Sequence, residues 1–482
     1  MTTLTDIYGH ELTIGDLTPG ADTNPAAFVD RWADISCSVL GHKVDLHTKM
    51  ASLLNDAPQF AYGWAVMGLG ALVLARRELV DAARNAHEEA VASLQEVGGS
   101  ERERVTVEAL GLMLEGRWRA GADKLDQALN AGPRDALLLK LVHSFRFMIG
   151  DARGMRRSIE TVLDEYPADH PHAGYVYGCY AFALEETGVY SEAEAWGKRG
   201  LDINNDDAWG LHAVTHVYEM QVDTKAGLRW LEDNRPAWSD CNNFGGHVWW
   251  HMALFYLEEG DTARALALYD DEVRADQTDD FRDISNGASL LQRLELEGVD
   301  VGERWDELAD KSAARTNDAC LAFADLHYML SLLGAGRMDD AEALIGQLAN
   351  TSATDPGDLG VVARKATHKT ALGLLAFKQG DYKSALDAFV RANPELYRIG
   401  GSHAQRDVFK WVMTEAALRA GRGEVARELI KERTGLRGSA DRFALTRLER
   451  INEARGAQAA GLGAAITQMA APAIAGSSQL FG

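Results

Sequence analysis

The stretch KTALGLLAFKQGDYKSALDAFVRANP, residues 369–394, holds the plan of the chain. Apolar residues recur at intervals of three and four as far as Phe377 and again from Tyr382 to Val390, which predicts two amphipathic helices with a break between them. Gly380 makes the break, because the left-handed turn that ends a helix costs a residue with a Cβ about 1 kcal/mol. Five positions later Ala385 lets the second helix pack closely against the first. The same pairing of a glycine with a small residue recurs at Gly116/Gly121, Gly188/Ala193, Gly260/Ala265, Gly336/Ala341 and Gly421/Ala426, with weaker copies at Gly150 and Gly298. Successive break glycines are 34, 38, 72, 38, 38, 44 and 41 residues apart. The interval of 72 is two periods, so a break without glycine is expected near Val222. A period of about 36–40 residues belongs to stacked helix–turn–helix units.

Leu372-Gly373, Gly380-Asp381-Tyr382, Ala385, Phe389 and Ala392 sit at the spacings of the tetratricopeptide repeat, which the sequence resembles here. Gly116-Arg117-Trp118 with Ala128 and Pro133 is a second fair copy. The resemblance implies an all-α fold, an α-solenoid of tetratricopeptide-like repeats curled into a superhelix. Ten prolines in 482 residues agree with more than 60% helix and no sheet beyond a short ribbon near the N-terminus. Residues 1–45, with Gly9-His10-Glu11-Leu12 and Asn24-Pro25, read as an irregular arm leading into a first helix, and residues 46–455 as the solenoid. Residues 456–482 read as an Ala/Gly-rich tail: a frayed helix, a flexible segment, or a plug docking through Leu480-Phe481.

Forty-nine basic against 72 acidic residues give a net charge of −23, which argues against nucleic acid as a partner, since phosphate contact needs clustered Lys and Arg. The longest apolar runs, such as Met67–Ala75, are too short for a membrane span, and the first dozen residues lack a signal segment. Cys37, Cys179, Cys241 and Cys320 lie far apart with no CxxC, which excludes a zinc ribbon or a disulfide-dense fold and fits the cytoplasm. No P-loop, dinucleotide fingerprint or nucleophile elbow occurs in strand–helix context.

Four of the fourteen histidines form two HxxxH pairs in adjacent repeats, His212/His216 and His247/His251. At about 100° per residue a spacing of four returns to the same helix face. Glu219 shares the stripe of His212 and His216, and Trp209, Trp249 and Trp250 flank the pairs as a shield from water. With the break residue as position 15 of each unit, His212, His216 and Glu219 fall at positions 5, 9 and 12, and His247 at position 2. Resemblance to the tetratricopeptide repeat implies that these positions face the concave groove. His251 and His327 fall at position 6, turned towards the neighbouring helix. Gln292 and Glu295, at positions 9 and 12 of the following unit, extend the same groove. Three readings stand: a groove site without metal, a site for a divalent transition metal held by His212, His216, His247 and His251, and histidines that serve packing alone.

Near the last repeat, Gly400-Gly401-Ser402-His403-Ala404-Gln405-Arg406-Asp407 offers Ser402 as a helix N-cap, with His403 and Arg406 placed to hold a carboxylate or phosphate. Together with Trp209–Met220 and His247–His251 this segment resembles the tetratricopeptide repeat protein 38 family over roughly residues 25–450. That resemblance supports the solenoid without fixing an activity. Two functions are weighed. In one, an internal pocket binds, and chemically transforms, a small anionic molecule: His212 or His216 acts as base or metal ligand, Glu219 orients it, and His247 and His251 complete the catalytic set. Trp209, Trp250, Gln292, His327, His403, Gln405, Arg406 and Asp407 then contact the substrate. In the other, a non-catalytic scaffold grips a peptide segment of a partner in an open groove, or forms a homodimer. An enclosed pocket around the histidines favours the first, an open superhelix the second.

Overall fold

The computed structural model describes residues 2–470, with side chains as far as residue 456. It is 75% helical. The only sheet among the described residues is a hairpin in which Thr2–Thr5 pairs antiparallel with Glu11–Gly15. From Pro25–Leu40 onward the chain is a tetratricopeptide-like α-solenoid of helices packed in sequential pairs, such as Glu101–Leu114 with Trp118–Ala131 and Ala173–Glu185 with Tyr190–Ile203.

The predicted breaks are where the helices turn. Gly116, Gly150, Gly188, Gly260, Gly298, Gly336, Gly380 and Gly421 all have φ between +68° and +84°. The break without glycine is Val222 itself, at φ +61°, which divides the interval of 72 into 34 and 38. Ala75 at φ +49° makes a further break, invisible in the sequence because it lacks glycine. The small residues that follow are fully buried at Ala193, Ala265, Ala341, Ala385 and Ala426. After Val222 the same place is taken by Gly227, where a Cβ would lie 2.3 Å from Phe255. A second device accompanies the turn. Asp151, Asp223, Asp261 and Asp381, each directly after a break residue, cap the next helix by accepting a backbone N–H three residues on, at 2.9–3.1 Å. Gly298 is a weak copy because an irregular stretch intervenes and the next helix starts at Arg304.

The solenoid closes on itself. Gly116 O accepts from Asp358 N at 2.9 Å, and Arg119 N donates to Asp358 Oδ2 at 2.8 Å. Gly150 lies against the backbone of Tyr397, where a Cβ would be 2.0 Å from its carbonyl oxygen. Further on, His403 N donates to Glu186 Oε1 at 2.7 Å, and Arg315 bridges Glu78 at 2.8 Å and Asp279 at 2.6 Å. Contacts between early and late repeats therefore cross the concave side.

The N-terminal arm is tied into this body: Leu12 and Ile14 are buried, Tyr8 OH meets His172 Nδ1, and Arg102 joins Asp6 (3.2 Å) to Asp135 (2.5 Å). The expected boundary at 455/456 falls inside one helix, Arg442–Ala470, and Leu480-Phe481 lies outside the described residues. All four cysteines are unpaired. Among the described residues no helix is long and apolar enough to cross a membrane.

Val222 carries a conformation that costs a residue with a Cβ about 1–2 kcal/mol. Val222→Gly should therefore raise the unfolding free energy, by up to about 1 kcal/mol after the added flexibility of the unfolded chain. Urea unfolding of the two proteins checks this.

Candidate functional site

Two neighbouring first helices of repeats, Ala208–Met220 and Phe244–Glu259, bring the four histidines together. His212, His216, His247 and His251 are each no more than 8% exposed, and one ligand nitrogen from each lies within 4.8 Å of every other. His212 Nε2 is 2.9 Å from His216 Nε2 and 3.0 Å from His247 Nε2. Two of the outer nitrogens are held by other groups, and those of His212 and His216 make no hydrogen bond. His247 Nδ1 donates to Asn286 Oδ1 at 2.8 Å, His251 Nδ1 to Glu219 Oε2 at 2.8 Å, and His216 Nδ1 faces Glu185 Oε2 at 3.6 Å. The two hydrogen bonds place the N–H of His247 and His251 on Nδ1 and leave their Nε2 lone pairs free, whereas His216 Nδ1 makes no hydrogen bond. His212 Nε2 carries at most one proton, so at most one of its two close contacts is an N–H···N hydrogen bond. His251 Nε2 has no hydrogen-bond partner in the protein.

Burial keeps the cluster neutral. Desolvation first, and then the neighbouring imidazoles, push His212 and His216 well below the ordinary histidine value. His247 is lowered to about 3 by burial and by His251, and His251 to about 3 by burial and by Arg293. Behind them Glu185 is fully buried with neither carboxylate oxygen hydrogen-bonded, and burial raises its pKa well above the usual range.

His212 and His247 also form one wall of a partly open cavity of about 140 Å³. Its other walls include His42, Lys140, Phe147, Trp209, Phe244, Phe281, Arg282, Asn286, Phe323 and Gln405. A second cavity of about 200 Å³ adjoins it across Met148 and Leu321, which line both.

The remaining residues named from the sequence are distributed differently. Trp209 lines the cavity, whereas Trp250 stands behind His247, stacked at 5.1 Å with its indole N–H donating to Ser289 at 3.0 Å. Trp249 packs against Trp238 instead of shielding the cluster. Gln292 and Glu295 do not extend the pocket. On the helix Phe281–Leu296 the inward stripe is Arg282, Asn286, Ser289 and Arg293, about 100° from Gln292, and Glu295 is exposed and accepts from Trp305 Nε1 at 2.9 Å. His327 lies apart from the cluster, packed between Phe323 and Phe409 with Nδ1 donating to Phe323 O at 2.8 Å.

Gln405 closes the helix cap with Ser402, its Oε1 accepting from Ser402 N at 2.9 Å, while also bordering the cavity. His403 and Arg406 reach the centre through Glu186, Arg406 Nη2 at 3.4 Å, and the Arg406 guanidinium also bonds the carbonyls of Gly400 and Gly401. Asp407 is committed to Arg433 (2.6 Å) and Arg437 (3.2 Å), which hold its carboxyl below the usual carboxylate range against the effect of burial. Arg437 in turn donates to Glu219 O at 3.1 Å and lies 3.5 Å from Glu219 Oε1. Sequence reasoning missed His42, Lys140, Phe244 and Arg282. Only Lys140 left a signal, as a lone charge in the apolar run Ala136–Val142.

No protein-family model matches the chain. Among solved structures it is similar to the human IFIT1 dimer with PPP-AAAA at 14% identity over 94% of this chain and 98% of that one, with a TM-score of 0.38. It is also similar to the APC/C hetero-tetramer Cut9-Hcn1 at 11% identity over 89% and 92%, with a TM-score of 0.33. Superpositions this loose transfer no property to the present chain.

His143, His212, His216, His247, His251 and His327 are buried and His42 is half-buried, and all seven have lowered pKa values. Above about pH 6.5 the folded and unfolded chains both keep them neutral. Below it the unfolded chain binds protons that the folded chain excludes, so stability falls by about 1.4 kcal/mol per pH unit for each fully coupled histidine. Carboxyls raised by burial, Glu185, Asp207, Glu258 and Asp325 among them, act in the opposite sense, but further lowered histidines, such as His170 and His172, keep the histidines in the majority. The melting temperature of metal-free protein should drop between pH 6.5 and 4.5; a flat profile would contradict the buried neutral cluster.

Proposed function

We propose that this chain binds a divalent transition metal through His212, His216, His247 and His251 and acts on a small anionic molecule held in the adjoining cavity. One observation carries the reading: His212 Nε2, which holds at most one proton, lies within hydrogen-bond distance of both His216 Nε2 and His247 Nε2, and His251 Nε2 beside them has no partner. A cation satisfies all four at once, whereas hydrogen bonding among the rings does not. Zinc held by four nitrogens at about 2.0–2.1 Å sets them roughly 3.3 Å apart, so the rings need to open by a few tenths of an ångström. Imidazole ligands suit zinc, copper, nickel or iron.

The outer contacts fit the same role. Ligating histidines commonly donate their second N–H to a carboxylate or carbonyl, which fixes the ring and raises its basicity. Glu219 and Asn286 already accept from His251 and His247 in this way, and Glu185 lies 3.6 Å from His216 Nδ1. Bound there, the ion polarises an oxygen of the substrate or activates water. His212 and His247 border the cavity while His216 and His251 do not line it, so an ion held by the four would be reached from the cavity side. The resemblance to the tetratricopeptide repeat protein 38 family agrees with this site, since it rests on the same segments. Against the scaffold reading stand the contacts of Asp358, Tyr397 and His403 with earlier repeats, which narrow the groove.

Elemental analysis of protein purified without a histidine tag should give near one transition ion per chain, falling to background in His216→Ala. Glu219→Gln, which keeps the side chain's size, should weaken metal binding about 10–100-fold. A chain that takes up no ion from zinc, copper, nickel or iron solutions overturns the proposal.

A further inference from the structure

The cavity beside the histidines contains a cation without a counter-ion. Lys140 lies among Leu137, Leu138, Leu139, Leu141 and Val142, all buried, and is itself only 6% exposed. Its ammonium faces the Trp209 ring at 4.1 Å and makes no ion pair or hydrogen bond with a described residue. The other charges in the wall are already committed. Arg282 is paired with Asp280 at 2.6 Å, and the Asp283 carboxylate accepts from Thr278 at 2.5 Å and Asn243 at 3.2 Å. Burial lowers the Lys140 pKa, opposed only by Cys179 and Asp207 at a distance. Desolvating a charge without a partner is expensive, and an anion arriving with the ligand removes that expense.

The rest of the wall selects shape. Trp209, Phe244, Phe147, Phe281 and Phe323 make it largely aromatic. At about 140 Å³ it matches the roughly 150 Å³ of an apolar cavity known to admit a single benzene ring. Trp209 spans the interval between the two ends of the cavity, with Lys140 against its face and the His212 ring 5.1 Å from its centre.

We propose that the ligand of this cavity is a compact carboxylate bearing one ring, of the size and chemistry of benzoate or phenylacetate. Lys140 Nζ donates to its carboxylate, and its ring lies along Trp209 and Phe244 with the far edge towards His212 and His247. Lys140, and not Arg406, is thus the anion-binding residue. This inference rests on the proposed metal site for its chemistry but not for its binding.

Calorimetric titration of the full chain with sodium benzoate, sodium phenylacetate and benzyl alcohol tests it, using zinc-loaded protein and protein dialysed against EDTA. At least one carboxylate should bind, with the alcohol about tenfold weaker or more. Lys140→Met, and Lys140→Gln should the first variant not fold, should lower carboxylate affinity to that of the alcohol while melting stays as in the wild type. Failure of both carboxylates to bind, equal binding of the alcohol, or unchanged carboxylate binding in the folded variant overturns the assignment. Carboxylate binding by a chain that takes up none of zinc, copper, nickel or iron keeps the ligand class and removes the metal reading; metal uptake without carboxylate binding does the reverse.

Discussion

The carboxylate of Glu219 joins the two halves of the molecule. One oxygen accepts from His251 Nδ1 at 2.8 Å, and the other lies 3.5 Å from Arg437, which belongs to a helix more than two hundred residues later. Arg437 also meets Asp407, which is held by Arg433, which is held by Asp441. A string of buried charges therefore runs from the last repeats to the histidines. Each member is satisfied by its neighbours, and removing any one leaves a buried charge unpaired, at a cost of about 3–5 kcal/mol. Closure and site geometry are consequently one property: the solenoid cannot uncurl without exposing the string, and the His251 ring cannot turn without breaking it.

The repeat was legible because its physics is local. A left-handed turn and a close helix crossing each favour particular residues at fixed spacing, so eight break glycines and their small partners predicted the architecture. Val222 could be inferred only from the arithmetic of the period, and Ala75 not at all, because tertiary packing imposes φ > 0 there on residues that do not favour it. The site was half legible for the same reason. His212, His216 and Glu219 share a helix and followed the repeat frame. The frame slipped on the helix Phe281–Leu296, where the inward face is Asn286 and Arg293 in place of Gln292 and Glu295, so the pocket lost two expected residues and gained others. His42, on a left-handed backbone at φ +54°, enters the wall from outside the frame altogether. Contacts such as Arg437 to Glu219 depend on how far ten or so small rotations accumulate, which no single repeat encodes.

The four histidines are a poor choice if packing were their only purpose. Leucine or phenylalanine at these places would bury more apolar surface without asking for hydrogen bonds. Instead the molecule buries four imidazoles whose inner nitrogens crowd one another at about 3 Å, and supplies Asn286 and Glu219 to orient them from outside. Glu185, buried with no hydrogen-bond partner, adds to the cost. Polar groups placed in this way weaken a core unless something completes them, which is the physical ground of the proposed metal site.

The net charge of −23 bears on the surface more than on this interior. At physiological salt the surface field decays over about 8 Å, so a small anion in solution meets little of it at a distance. Inside the cavity, water is scarce and screening weak, and there the nearest uncommitted charge is the single ammonium of Lys140. Coulomb interactions that are worth about 1 kcal/mol at contact in water grow several-fold in such surroundings. An acidic protein can thus present a cationic, aromatic interior, and the sign that matters to a bound molecule is set by one buried lysine, not by the sum over the sequence.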